Sequence, residues 1–160
     1  MALTQEKIRV SIITATYNSG NTLTDTVLSV LSQSYSNVEY IIVDGGSQDN
    51  TIDIIKMFEW RFNGNLKWIS ETDRGLYDAM NKGIVKATGK FLIFMNAGDQ
   101  FLNEKVLSKC LPYFLQEIDV ISGIGYLSGQ KWIPAKATDL SVAFFLKKSL
   151  NHQATFINRK

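Results

Sequence analysis

The chain has 160 residues, of which 45% are hydrophobic and 20% charged, and its formal net charge is +2. That length fits one domain, and so small a charge gives no general electrostatic case for nucleic acid or a membrane surface. The single cysteine, Cys110, excludes an internal disulfide, and no run approaches the roughly 18 apolar residues of a spanning helix.

Residues 1–9 mix charge and polarity and lack the apolar core of a secretory signal. The chain therefore reads as cytoplasmic, with peripheral contact at the inner face of the membrane left open. Residues 10–14 (VSIIT) are a short β-branched apolar run of the kind that makes a buried strand. After a polar stretch, Leu23, Val27, Val30 and Leu31 recur at helical spacing, with Asn21 or Thr22 as cap. The unit then repeats. Residues 38–43 predict a strand, residues 44–51 a loop whose Ser47 and Asp49 can cap a helix, and Ile52, Ile55 and Phe58 the buried side of that helix. A third strand is predicted at 66–70. Leu76, Met80, Ile84 and Ala87 set one face of a third helix, which Gly89 would close with a left-handed cap. A fourth strand follows at 91–95. Asn103 would then cap a short helix that Pro112 ends or kinks, and Cys110 falls within it as a small buried apolar residue. Beyond Asp119 the alternation weakens. Residues 120–124 and 126–133 are candidate strands, the second interrupted near Gly129; 142–146 is apolar and ambiguous, and no last element is evident.

Strands alternating with helices predict an α/β domain with a largely parallel sheet covered on both faces. Ligands of such sheets bind beyond the carboxyl ends of the strands. That rule singles out four loops: Ala15 to Asn18, Asp44 to Ser47, Glu71 to Arg74 and Asn96 to Asp99. All are polar and three carry acids, more than solubility requires.

At these loops the sequence resembles the family-2 inverting glycosyltransferases of the GT-A fold, which move a sugar from a nucleoside diphosphate to an acceptor hydroxyl. Five segments carry the resemblance, in the family's order and spacing: residues 11–18 (SIITATYN), 42–51 (IVDGGSQDNT), 70–83 (SETDRGLYDAMNKG), 89–99 (GKFLIFMNAGD) and 151–156 (NHQATF). They cover roughly residues 8–102, with a weaker echo at 151–156. The resemblance implies a GT-A (Rossmann-like) domain over residues 1–160, its mostly parallel sheet sandwiched by helices. Residues 8–102 would form its nucleotide-binding part, and residues 103–160 the start of its acceptor part. Relatives are longer, so truncation at the C-terminal end is expected, there removing the family's catalytic base. Nothing positions Asp119 or Asp139 for that role. His152, the one histidine, is more often structural than catalytic as a residue type; the resemblance places it near the acceptor or diphosphate.

A nucleotide sugar offers a flat base, a ribose diol and a diphosphate. Tyr17 can face the base or merely pack on the first helix, and the resemblance sets Ala15, Thr16 and Tyr17 against the base. Asp44 can accept a ring N–H, form an Asx-turn before the glycine pair, or do both; as a base contact it could be replaced without harm to the fold. The resemblance turns Asp73 toward the nucleotide, beside an Arg74 that can meet phosphate or a surface acid. Tyr77, Asp78 and Asn81 are expected to hold their helix against neighbouring loops. At residues 96–99 the family carries an acidic metal motif. Here Asn96 and Gly98 replace acids, leaving Asp99 as metal ligand or cap and Asn96 toward the sugar or ribose. One carboxylate with diphosphate oxygens can still hold Mg²⁺ or Mn²⁺.

The resemblance favours a UDP-sugar donor, then a GDP-sugar, a saccharide or lipid-linked acceptor, and bacterial polysaccharide or glycolipid biosynthesis. No G-x-G-x-x-G joins the first strand to its helix, which argues against a dinucleotide-dependent oxidoreductase. Residues 14–20 hold neither Lys nor Arg, unlike a nucleotidyltransferase phosphate loop. A non-catalytic nucleotide-sugar-binding module remains the alternative.

Overall fold

The computed structural model describes residues 8–127, 129–133 and 152–159. Strands and helices alternate through β1 (Val10–Thr16), α1 (Leu23–Leu31), β2 (Val38–Asp44), α2 (Thr51–Glu59), β3 (Leu66–Ser70), α3 (Leu76–Lys86), β4 (Phe91–Phe94) and α4 (Val106–Phe114). The short strands β5 (Val120–Ser122), β6 (Gly125–Leu127), β7 (Gln130–Trp132) and β8 (Thr155–Asn158) follow. Six strands form one sheet in the order β3-β2-β1-β4-β8-β5. The first four run parallel, and β8 lies antiparallel between β4 and β5.

Side chains along a strand point alternately to its two faces, and both faces here are apolar. Ile12, Tyr40, Ile42, Phe91 and Ile93 pack against Val27 of α1, Ile55 of α2 and Leu107 and Phe114 of α4. Ile13, Ala15, Ile41, Val43 and Phe94 pack on the other side against Ala79 and Met80 of α3. Continuous apolar strands are what a parallel sheet covered on both faces needs.

Four expectations are corrected. The face that α3 turns to the sheet is Ala79, Met80 and Gly83, whereas Leu76 and Ile84 are exposed. A Cβ on Gly83 would stand 2.3 Å from Ile13 Cγ2, so α3 lies too close to β1 for large side chains. Gly89 is no left-handed cap, since α3 ends on an extended Ala87. Gly89 is instead pressed on β1, where a Cβ would meet Ser11 Oγ at 2.6 Å. Residues 126–133 are not one interrupted strand but the hairpin β6–β7, which turns through Gly129 at φ 77°. Finally, β8 closes the described chain where no element was expected.

The residue at the N-cap of α2 is Asn50, which makes no side-chain cap bond; Asp49, one residue earlier, accepts the Thr51 N–H at 3.0 Å through Oδ1. Neither Asn21 nor Thr22 makes a side-chain cap to α1. Asn103 Oδ1 accepts the N–H of Lys105, the residue immediately before α4, and α4 runs two residues past Pro112. Cys110 is half-buried against the core, and burial raises its thiol pKa. The run 142–146 and Asp139 lie outside the described residues. No described helix is long and apolar enough to cross a membrane.

A buried carboxylate ties the amino ends of the strands together. Glu39 is fully buried. Its Oε1 accepts Ser11 Oγ–H at 2.5 Å, Thr88 N–H at 2.5 Å and Gly89 N–H at 2.9 Å. Its Oε2 accepts Thr88 Oγ1–H at 2.9 Å and Lys67 Nζ–H at 3.1 Å. Burial by itself raises the Glu39 pKa, but the hydrogen bonds from Ser11, Thr88 and Lys67 outweigh it and hold the group at about 2.

Candidate functional site

A cleft of about 260 Å³ opens at the carboxyl ends of the parallel strands. Ala15, Thr16, Tyr17 and Ser19 line it from the end of β1, Asp73, Gly75, Leu76 and Ala79 from the β3–α3 connection, and Asn96 and Ala97 from beyond β4. The fold thus brings Ala15, Thr16, Tyr17, Asp73 and Asn96 to one place; of the six residues expected to bind the nucleotide sugar, only Asp44 is absent from the lining. A larger hollow of about 760 Å³ lies at the amino end, around Ile8, Arg9, Thr88 and Lys90. Parallel sheets bind ligands at the other end, so the smaller cleft is the candidate site.

Thr16, Tyr17 and Asp73 give the cleft its polar and aromatic lining. Thr16 is 5% exposed, and its Oγ1 is buried without a hydrogen-bond partner among the described residues. Such a group is costly unless something bonds it. Tyr17 is 61% exposed and presents an aromatic ring at the mouth. Asp73 Oδ1 accepts the Gly75 N–H at 2.8 Å. Its Oδ2 lies over Gly45, where a Cβ would stand 2.7 Å from that oxygen and 3.4 Å from Tyr17 Cδ2. Gly45 is therefore the floor on which Asp73 and Tyr17 meet, a role that the expectations missed.

Asp44 lies beneath this floor, fully buried. Oδ2 accepts Gly46 N–H at 3.0 Å, Ser47 N–H at 2.9 Å and Ser70 Oγ–H at 2.7 Å. Oδ1 accepts the Ser47 hydroxyl. The arrangement is an Asx-turn that also reaches the end of β3. Ser47, expected as a helix cap, instead joins Asp44 to the β1–α1 loop by accepting the Asn18 N–H at 2.7 Å. Asn18 Oδ1 accepts Gln48 N–H at 2.8 Å, Thr51 Oγ1 accepts Ser19 N–H at 2.8 Å and Asp49 Oδ2 accepts Gly20 N–H at 2.9 Å. The loop that carries Tyr17 is thereby stitched to the loop that starts with Asp44.

Asp99 closes the turn beyond β4. Its Oδ2 accepts the Asn96 N–H at 2.9 Å, and its own N–H bonds Asn96 O at 2.9 Å. Gly98, at φ 102°, donates its N–H to Thr26 Oγ1 at 2.9 Å. Among the described residues no group of three His, Cys, Asp or Glu could hold a metal. Asp99 and Asn96 bring hard oxygen donors to one turn, a set that fits Mg²⁺ or Mn²⁺ only when phosphate oxygens complete the shell.

Arg74 is exposed and makes no side-chain ion pair among the described residues. Tyr77 is 78% exposed and does not hold α3 in place. Asp78 does, by accepting the Arg74 N–H at 3.1 Å; Asn81 is exposed. His152 opens a 3-10 turn, His152–Ala154, before β8, and its side chain lies outside the described residues.

Residues 11–158 match the family described as Glycosyl transferase family 2. A PGL/p-HBAD biosynthesis glycosyltransferase of Mycobacterium tuberculosis is 32% identical over 151 residues, 93% of this chain and 59% of the relative. An uncharacterized glycosyltransferase of the same species is 38% identical over 120 residues, 74% of this chain and 42% of the relative. The chain thus spans about half the length of these relatives. Among solved structures, Staphylococcus aureus TarS 1-349 in complex with UDP has a TM-score of 0.76 at 22% identity, covering 95% of this chain and 47% of that one. The mannosyltransferase PcManGT from Pyrobaculum calidifontis, in complex with GDP-Man and Mn²⁺, has a TM-score of 0.67 at 21% identity, covering 74% of this chain and 36% of that one. These structures share the GT-A fold. With the mostly parallel sheet, the cleft at its carboxyl end and a family match across nearly all its length, the chain belongs to glycosyl transferase family 2.

Proposed function

We propose that this chain forms the donor-binding part of a glycosyltransferase that moves a sugar from a nucleoside diphosphate to an acceptor hydroxyl with inversion. Residues 8–102 bind the donor, and residues from 103 onward begin the acceptor side. The observation that carries this reading is Thr16, whose buried hydroxyl has no partner among the described residues, in a cleft that also holds the Tyr17 ring and the Asp73 carboxylate. The ring supplies a face for the base. The hydroxyl and Asp73 supply the hydrogen bonds that orient it. A UDP-sugar is the favoured donor and a GDP-sugar the second. The bound UDP and GDP-Man of the two structural neighbours support that pair.

In this reading the turn of Asn96 and Asp99 lies by the diphosphate. A divalent cation, when bound there with phosphate oxygens, would offset the negative charge of the departing nucleoside diphosphate. The acceptor oxygen forms its bond to the anomeric carbon as the bond to the diphosphate breaks on the opposite side, and the acceptor proton passes to a general base. Within the described residues the chain's share is to hold and orient the donor. The mycobacterial relative's assignment to PGL/p-HBAD biosynthesis supports a biosynthetic setting; to it we add a saccharide or lipid-linked acceptor and a place at the cytoplasmic side of the membrane.

Calorimetric titration with UDP and with GDP, each with and without Mn²⁺, tests this reading. One nucleotide should bind, more tightly with Mn²⁺, and Thr16→Val should weaken it about tenfold through the lost hydrogen bond. A folded chain that takes up neither nucleotide would overturn the proposal.

A further inference from the structure

The segment that carries Asp73 has little backbone to hold it. β3 ends at Ser70 and α3 begins at Leu76. Between them the Glu71 N–H reaches Asp44 O at 3.0 Å. The Arg74 and Gly75 N–H groups bond only side chains, Asp78 Oδ2 and Asp73 Oδ1. Glu71, Thr72, Arg74 and Gly75 are exposed. Gly75 O accepts the first amides of α3, Asp78 N–H at 3.0 Å and Ala79 N–H at 3.2 Å, which fix Gly75 to the helix but leave residues 72–74 free to swing Asp73 off its floor at Gly45.

Lys82, one turn further along α3 than Asp78, closes this loop from outside. Its Nζ donates to Thr72 O at 3.0 Å, pairs with Glu71 Oε1 at 3.0 Å and lies 3.6 Å from Asp78 Oδ2. An ammonium carries three N–H donors, and three acceptors from the two ends of the loop surround this one. Its side chain is only 23% exposed, against 56% for Glu71. The hydrogen bond to Glu71, followed by its charge and that of Asp78, raises the Lys82 pKa. The N–H of Arg74 is the first cause holding Asp78 low, and Lys82 adds to it. Both acids of these pairs lie at the surface, where ion pairs contribute little to stability, so the stability of the fold is a poor reason for this arrangement.

We infer that Lys82 is a positioning residue for nucleotide binding: by clasping Thr72, Glu71 and Asp78 it holds residues 71–75 so that Asp73 stays over Gly45 beside Tyr17. The inference rests on the reading of the cleft as the donor-nucleotide site. It places a determinant of nucleotide affinity on a side chain outside the cleft lining.

A double-mutant cycle on the whole chain tests it, with UDP and GDP plus Mn²⁺ as the titrants. Lys82→Met should lower affinity about five- to tenfold, with the melting temperature within about 2 °C of the wild type, because methionine keeps the apolar stem and Glu71, Asp78 and Thr72 lie where water can replace the ammonium. Asp73→Asn should cost at least about threefold less in the Lys82→Met background than in the wild type, because a displaced Asp73 has less to lose. In the ligand-free protein, Lys82→Met should also speed amide exchange at Arg74 and Gly75. Additive effects of the two substitutions, or a loss of affinity that merely follows a fall in melting temperature, would overturn the role of Lys82 while leaving the cleft reading intact. A wild-type chain that binds neither nucleotide would overturn both together.

Discussion

Replacing Asp44 with alanine should destabilise this protein whether or not a ligand is present. The carboxylate is fully buried and accepts four hydrogen bonds, two from backbone amides and two from serine hydroxyls. In Asp44→Ala the Gly46 and Ser47 amides, both in half-buried residues, lose their acceptor. Each buried donor left unsatisfied costs about 1–3 kcal/mol, while the hydroxyls of Ser47 and Ser70 can rotate toward other partners. Two half-buried amides, each at the lower end of that range, give a loss of about 2 kcal/mol, a sizeable share of a typical domain's total of about 5–15 kcal/mol. Urea unfolding followed by circular dichroism measures it directly. Nucleotide affinity should also fall, because Ser47 would no longer hold Asn18 and with it Tyr17. A loss of stability below about 1 kcal/mol, too small for two orphaned amides, together with abolished nucleotide binding, would refute this reasoning and make Asp44 a base contact after all.

Glu39 supplies a pH prediction. Its pKa is lowered from an ordinary 4.5 to about 2, so its contribution is fully present above pH 4.5 and is lost as the pH falls toward 2. The shift corresponds to about 3 kcal/mol across that window. Unfolding curves at pH 6, 4 and 3 should show the decline, and Glu39→Gln should remove that component of the slope at the cost of lower stability at neutral pH. Gly45→Ala probes the cleft floor. Its Cβ would stand 2.7 Å from Asp73 Oδ2, so Asp73 must shift by several tenths of an ångström. Nucleotide affinity should then drop about tenfold, or ~1.4 kcal/mol, as measured by calorimetry, with stability nearly unchanged.

Much of the architecture was legible in local patterns, because β1, β2 and β4 are buried on both faces as short apolar runs, while β3 is a half-buried strand at the sheet edge. The residues flanking those runs then fell at the carboxyl ends of the strands, and six of them, Ala15, Thr16, Tyr17, Asp73, Asn96 and Ala97, meet in the cleft. What was not legible depends on distance in the chain. β8 is a four-residue strand whose place between β4 and β5 is set by partners far from it in sequence. The burial of Asp44 depends on Ser70, 26 residues on. Glu39 stands in an apolar strand, and only the approach of Ser11, Lys67 and Thr88 makes its burial tolerable. The face of α3 was misassigned because large apolar residues usually mark the buried side, whereas close contact with β1 selects alanine and glycine. Gly45 looked like turn punctuation, and its importance appears only once Asp73 lies above it.

The most direct test of the central claim is an amide chemical-shift titration of the isotopically labelled chain with UDP or GDP in the presence of Mg²⁺. The donor-site reading predicts that the largest changes fall on residues 15–17, 73–75 and 96–97, around the cleft at the carboxyl ends of the strands. Changes concentrated instead at Ile8, Arg9, Thr88 and Lys90, around the hollow at the amino end, would contradict it.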